Sequence, residues 1–133
     1  MGYPAARDRL FDAITANGLG SCVVLSGDAH AAFVCDLKRD FGDQLAPPIA
    51  TEFCATSITS RGRPQNEVDA ILRDNAHIHF GDSTSRGYVV FDVTAESCIA
   101  RLRAIDDPTD RRTGVSTEAT FSVDAGRPGA RRI

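Results

Sequence analysis

The sequence predicts an α+β protein with a sheet as its spine, and three observations predict it. A helical apolar period opens the chain and another lies in its middle. A short apolar run lies between them, and three alternating segments follow the second. Pro4 opens the first run, Ala6, Leu10, Phe11 and Ile14 share a face, and Asn17-Gly18 closes it, so a packing helix is expected from about residue 4 to 17. Arg7, Asp8, Arg9 and Asp12 fall on its other side and read as a solvated face.

Cys22 to Leu25 reads as a short buried strand ending in Ser26-Gly27-Asp28-Ala29-His30, and Ala31 to Leu37 as a second extended segment. Asp36 in that segment could face a metal or start a turn, and the sequence leaves both open. Pro47-Pro48 ends a polar loop, and Ile49 to Ala55 resumes a strand pattern before four hydroxyls in Thr56-Ser57-Ile58-Thr59-Ser60. Such hydroxyls can donate to a phosphate, but they more often bond their own backbone in turns. Pro64 with Val68, Ile71 and Leu72 gives a second helix ending near Asn75. Alternation then places His77 and His79 on one side of an extended segment. Val89, Phe91 and Val93 share one face of a strand. Ala100, Leu102 and Ala104 alternate with Arg101 and Arg103, and Ala119, Phe121 and Val123 with Thr120, Ser122 and Asp124. The residues from Gly126 to Ile133 read as a polar tail.

Length and composition bound the function. A chain of 133 residues fits a single domain with a core, and 42% hydrophobic with 25% charged residues is an ordinary globular balance. The 15 basic residues, nearly all arginine, are scattered and the net charge is -3, so no basic stripe marks a nucleic-acid partner. No apolar run approaches the roughly 20 residues that span a bilayer, and Asp8, Arg9 and Asp12 stand where a signal peptide would be apolar, so no membrane partner is expected and the default location is cytoplasmic. Cys22, Cys35, Cys54 and Cys98 form no CxxC pair and read as buried free thiols.

The chemistry concentrates at Gly27-Asp28-Ala29-His30. A strand that stops at a glycine and presents a carboxylate and an imidazole two positions apart is suited to holding iron, zinc or manganese. Asp28 and His30 are the candidate metal ligands, but they are two where a catalytic site needs three or four. A small module combining Asp28, His30, His77 and His79 is a further arrangement the residues allow.

Several blocks, in order, carry a resemblance. Gly2-Tyr3-Pro4-Ala5-Ala6-Arg7, Val23-Val24-Leu25-Ser26-Gly27-Asp28-Ala29-His30 and Glu52-Phe53-Cys54-Ala55-Thr56-Ser57-Ile58-Thr59-Ser60 come first. Asn75-Ala76-His77-Ile78 and Arg86-Gly87-Tyr88-Val89-Val90-Phe91-Asp92-Val93-Thr94 follow, then Val115 to Phe121 and Gly126-Arg127-Pro128-Gly129. Together they resemble the C-terminal part of the PhoD-type alkaline phosphatases, a branch of the metallophosphoesterases. Ala76 and Ala55 depart from the proline and glycine expected in those blocks.

The resemblance implies the C-terminal part of a metallophosphoesterase-like β-sandwich with flanking helices. It also implies hydrolysis of phosphomonoesters or phosphodiesters with iron and calcium, other divalent metals remaining open. Asp28 and His30 would ligate the metals, and Asn75 and His77 would contact substrate or support the ligands. The family's upstream aspartates, asparagine and histidine have no counterpart here. The expectation is therefore a chain inactive by itself that meets its phosphate ester only when completed by an upstream half. The alternative is a non-catalytic remnant or accessory domain that pairs with a partner chain, or with itself, through an exposed sheet face. Complete members of the family are typically exported.

Overall fold

A computed structural model describes residues 3–133; Met1 and Gly2, the latter opening the first family-like block, lie outside them. The order is α1 (Pro4–Ala16), β1 (Val23–Ser26), β2 (Ala32–Lys38), β3 (Pro48–Cys54), α2 (Gln65–Asp74) and β4 (Ile78–Asp82). These are followed by β5 (Arg86–Val93), β6 (Ser97–Ile105), β7 (Val115–Asp124) and β8 (Arg127–Arg132). The first four strands make a mixed sheet in the order β1-β3-β2-β4, with β1 parallel to β3 and the remaining pairs antiparallel. The last four make an antiparallel meander, β5-β6-β7-β8.

The alternation in the sequence explains how the sheets meet. Ala100, Leu102, Ala119, Phe121 and Val123 turn inward from the meander and are buried against Ala32, Val34 and Phe53 of the mixed sheet. Two edge-to-face aromatic contacts cross the gap, Phe53 to Phe91 at 5.5 Å and Phe80 to Phe121 at 6.2 Å between ring centres. Each such pair is worth about 0.5–1.5 kcal/mol beyond its burial, and burying a ring like Phe121 contributes about 1.5–3 kcal/mol. The chain thus contains a two-sheet core of its own.

Both helices pack against the mixed sheet. Val68 of α2 is fully buried, and Gly81 of β4 makes this approach possible, since a Cβ there would stand 2.9 Å from the Val68 side chain. Gly18, with φ 61, closes α1 as its left-handed residue. Of the expected apolar face of α1, Phe11 and Ile14 are buried. Leu10 is 52% exposed and Ala6 is exposed, because one face of a three-turn helix covers only part of the sheet's edge.

Two segments differ from the sequence reading. β1 is an edge strand and only half-buried, with Leu25 63% exposed, because nothing pairs on its outer side among the described residues. The polar tail is a strand, β8, whose order comes from long-range hydrogen bonds that no local period reveals. The Ala130 amide donates to Asp36 Oδ1 (3.0 Å), the Gly129 amide donates to Thr51 Oγ1 (3.1 Å), and Arg132 lies over the Phe80 ring. Gly129 adopts φ 113, a conformation few side chains tolerate, as it passes close to Pro48 and the Asp36 carboxylate.

Asp36 is therefore neither a turn starter nor near Asp28. It is buried, and its Oδ2 accepts from His79 Nε2 at 2.8 Å, so one carboxylate joins β2, β4 and β8. The hydrogen bond to Asp36 raises the His79 pKa above its ordinary 6.5, opposed by burial and by Lys38. A raised folded-state value means the contact stabilises fully below the unfolded value and is lost as pH rises through the folded one. Unfolding in urea across pH should show stability falling as pH rises above about 6.5. In His79→Gln that step should vanish; a variant that keeps it would show that another group titrates.

Candidate functional site

Asp28 and His30, the candidate ligands of the sequence analysis, sit where the mixed sheet ends. β1 and β3 run parallel and both finish at this end, Ser26 opposite Cys54, and β2 begins here. In sheets with parallel strands the carboxyl end is where ligands collect. Between β1 and β2 the chain turns through Gly27-Asp28-Ala29-His30, with Asp28 at φ 70 and His30 at φ 52. Two left-handed residues of non-glycine type within three positions are uncommon, and such conformations cluster at functional sites. Both side chains are exposed.

The corner is fixed from below and from the side. The Cys54 thiol lies beneath it, donating to the Gly27 carbonyl at 3.5 Å and the Ala31 carbonyl at 3.7 Å. Burial pushes the Cys54 pKa up, which suits a protonated donor to these carbonyls. Ser26 Oγ donates to Glu52 across the β1–β3 pair at 2.6 Å. From the side, His30 Nδ1 lies 3.1 Å from the carbonyl oxygen of Arg61. A carbonyl only accepts, so Nδ1 carries the hydrogen and the lone pair of Nε2 is left for a metal or a proton. Backbone-carbonyl orientation of this kind is typical of histidines that ligate metals.

Asp28 and His30 fit a metal in donor chemistry but fall short in number. Among the described residues no group of three or more His, Cys, Asp or Glu is placed to hold an ion. The other histidines lie elsewhere. Asp36 donates its amide to the carbonyl of His77 and binds His79, and it stands four residues along β2 from Ala32, about 13 Å at ordinary strand rise. The His77 ring packs on Phe41 at 4.7 Å, and burial, aided by Lys38 and His79, lowers its pKa. Asn75 caps α2, its Nδ2 donating to the Ile71 carbonyl and its own carbonyl accepting from Ile78. The structure thus sets Asp28 and His30 in one exposed turn and places Asn75, His77 and His79 toward the other end of β2 and β4.

Two hydroxyls of the cluster after β3 bond protein atoms. Ser57 Oγ donates to the Ser60 carbonyl at 2.6 Å, and Thr56 Oγ1 to the Ser85 carbonyl at 3.2 Å. The loop from Ala55 to Pro64 faces a second loop, Ser83 to Arg86, and Arg86 is buried between them. Its Nη1 donates to Ser57 Oγ (2.8 Å) and the Ser60 carbonyl, its Nη2 to the Ser83 carbonyl (2.6 Å), and its Nε to the Ser85 carbonyl (2.8 Å). The second loop is organised by Asp82. Burial would raise its pKa, yet hydrogen bonds from Thr84 and Ser85 outweigh this and lower it. Sequence reading singles out Arg86 only as part of a block, since no pattern of charges announces a buried arginine. Gly62 between two arginines was the available hint of a close approach.

Comparison with known proteins shows the family and the fold. Alkaline phosphatase D of Bacillus subtilis (strain 168) is 36% identical over 135 aligned positions, which cover 99% of this chain and 23% of that protein. A solved structure described as the structure of PhoD superposes with a TM-score of 0.87 at 35% identity, covering 98% of this chain and 26% of the other. The chain spans about a quarter of the length of these relatives. The α+β sandwich is therefore one seen in PhoD. Residues 1–102 match the family model for PhoD-like phosphatases, and the chain belongs to the PhoD-like phosphatase family.

Proposed function

We propose that this chain supplies part of the active site of a metal-dependent phosphoric ester hydrolase, acting on monoesters or diesters, and that it is catalytically incomplete alone. The observation that carries the reading is the Gly27–His30 corner. There two left-handed residues aim a carboxylate and an imidazole off the end of the sheet, with His30 Nδ1 already committed to Arg61. Asp28 offers hard oxygen and His30 a borderline nitrogen, a set that suits iron, with calcium as the family-implied companion. Such ions, when bound, polarise the phosphoryl group and offset its developing charge. Asp28 and His30 hold and orient; the ligands that complete the coordination come from residues outside this chain. Asn75 and His77 bond and pack at the other end of β2 and β4 and take no part in this corner.

Turnover of p-nitrophenyl phosphate and its bis ester tests this, with iron and calcium supplied. The chain alone should show no more hydrolysis than the metals do. Joined to the remaining sequence of a family-length relative, it should turn over substrate. Asp28→Ala should then cost more than the roughly 10–100-fold typical of losing a partner that merely supports a ligand. Efficient turnover by the chain alone, or an unaffected Asp28→Ala, would overturn the proposal.

A second reading concerns the partner. Among the described residues nothing pairs with the outer edge of β1, and beside it lies an apolar groove of about 290 Å³ lined by Val23, Leu25, Phe91, Val93, Cys98 and Val123. Val93 is 73% exposed. An open edge next to exposed apolar side chains favours pairing with the polypeptide that completes the site, or self-association without it. Sizing chromatography should find the isolated chain partly self-associated and binding hydrophobic dyes. A clean monomer that binds none would count against this reading.

A further inference from the structure

We propose that Arg86 is the positioning residue of the His30 corner, acting through the loop from Ser57 to Gly62. This rests on the reading of His30 as a ligand, and the geometry extends it to a residue that touches neither Asp28 nor His30. Arg86 is 8% exposed, and no carboxylate lies within ion-pair distance of it among the described residues. A buried, unpaired guanidinium is a costly device, tolerable only because its donors meet oxygen acceptors. Hydrophobic packing would hold two loops together at lower cost, but it would not set the direction of their carbonyl groups. The planar fork of arginine does.

The consequence reaches His30 by a short route. Arg86 Nη1 holds Ser57 Oγ and the Ser60 carbonyl, and Ser57 Oγ itself donates to that same carbonyl, so the loop is locked immediately before Arg61. The next carbonyl along, that of Arg61, accepts from His30 Nδ1. Gly62 then passes so close to the corner that a Cβ on it would lie 2.7 Å from Arg86 Nη2 and 2.8 Å from the His30 carbonyl. Arg86 and the His30 backbone thus both crowd the position that a side chain at residue 62 would take. The ion-paired arginines, Arg7, Arg39, Arg101 and Arg131, sit on the surface, and their pairs are worth little to stability. Arg86 is a different kind of residue, whose hydrogen bonds choose the histidine tautomer that presents Nε2 outward.

Nitrogen NMR of the intact chain, labelled on histidine and recorded well above the ordinary histidine pKa, tests this without metal or turnover. In the wild type, His30 should populate the Nδ1–H tautomer. In Arg86→Gln that preference should be lost while His79, held by Asp36, keeps its wild-type signals. Arg86→Lys retains the charge without the fork and should restore the preference only in part. Ser57→Ala, a small change at the loop itself, should weaken the preference, and it decides the matter if Arg86→Gln does not fold. A wild-type tautomer ratio retained in every variant that folds, or no Nδ1–H preference in the wild type, overturns the assignment. The hydrolase reading fails separately: a completed chain that does not turn over substrate, with a tautomer that still responds to Arg86, would remove that reading and keep this one.

Discussion

The contact between the two sheets is what the rest of the structure depends on. Phe53 against Phe91 and Phe80 against Phe121 span the interior, and the inward residues of β6 and β7 fill the space between. Since Phe53 lies in β3, next to β1, this packing also fixes the strand ends from which Asp28 and His30 project. Asp36 reinforces the join on one side by binding both His79 of β4 and the backbone of β8. A buried carboxylate with two partners specifies geometry as well as holding it, because losing either partner leaves charge without compensation.

On that frame the site is built mostly from backbone. Carbonyls of Gly27, Ala31 and Arg61 take hydrogen bonds from Cys54 and His30, and those of Ser60, Ser83 and Ser85 take them from Arg86. Loops held this way are irregular yet rigid, which suits a corner whose left-handed residues would relax if released. The exposed positions of Asp28 and His30 follow from the same arrangement, since they stand at the rim of the sheet.

Much of this was legible in the residues. The alternations at Val89 to Phe91, Ala100 to Leu102 and Ala119 to Val123 give the meander its inward face, and Pro4 and Gly18 mark the ends of α1. Ordered family blocks identified the family to which the chain belongs. What local pattern does not carry is long-range. The strand at Arg127–Arg132 has no apolar period and is ordered by Asp36 and Thr51, many residues earlier in the chain. The half-exposed state of β1 depends on its place at the edge of a sheet order that the sequence does not state. His77 and His79 could be placed on one side of an extended segment, but alternation shows a shared side and not what already occupies it, here Phe41 and Asp36.

The central claim is that Asp28 and His30 form one part of a metal site that other residues must complete. Titrating the isolated chain with manganese(II), while following paramagnetic broadening of its amide and imidazole signals, tests that claim most directly. Weak binding with broadening centred on Gly27 to Ala31, absent in His30→Ala, is the expected result. Broadening centred instead on Asp36, His77 and His79, or tight stoichiometric binding at the Asp28 corner, would contradict the account.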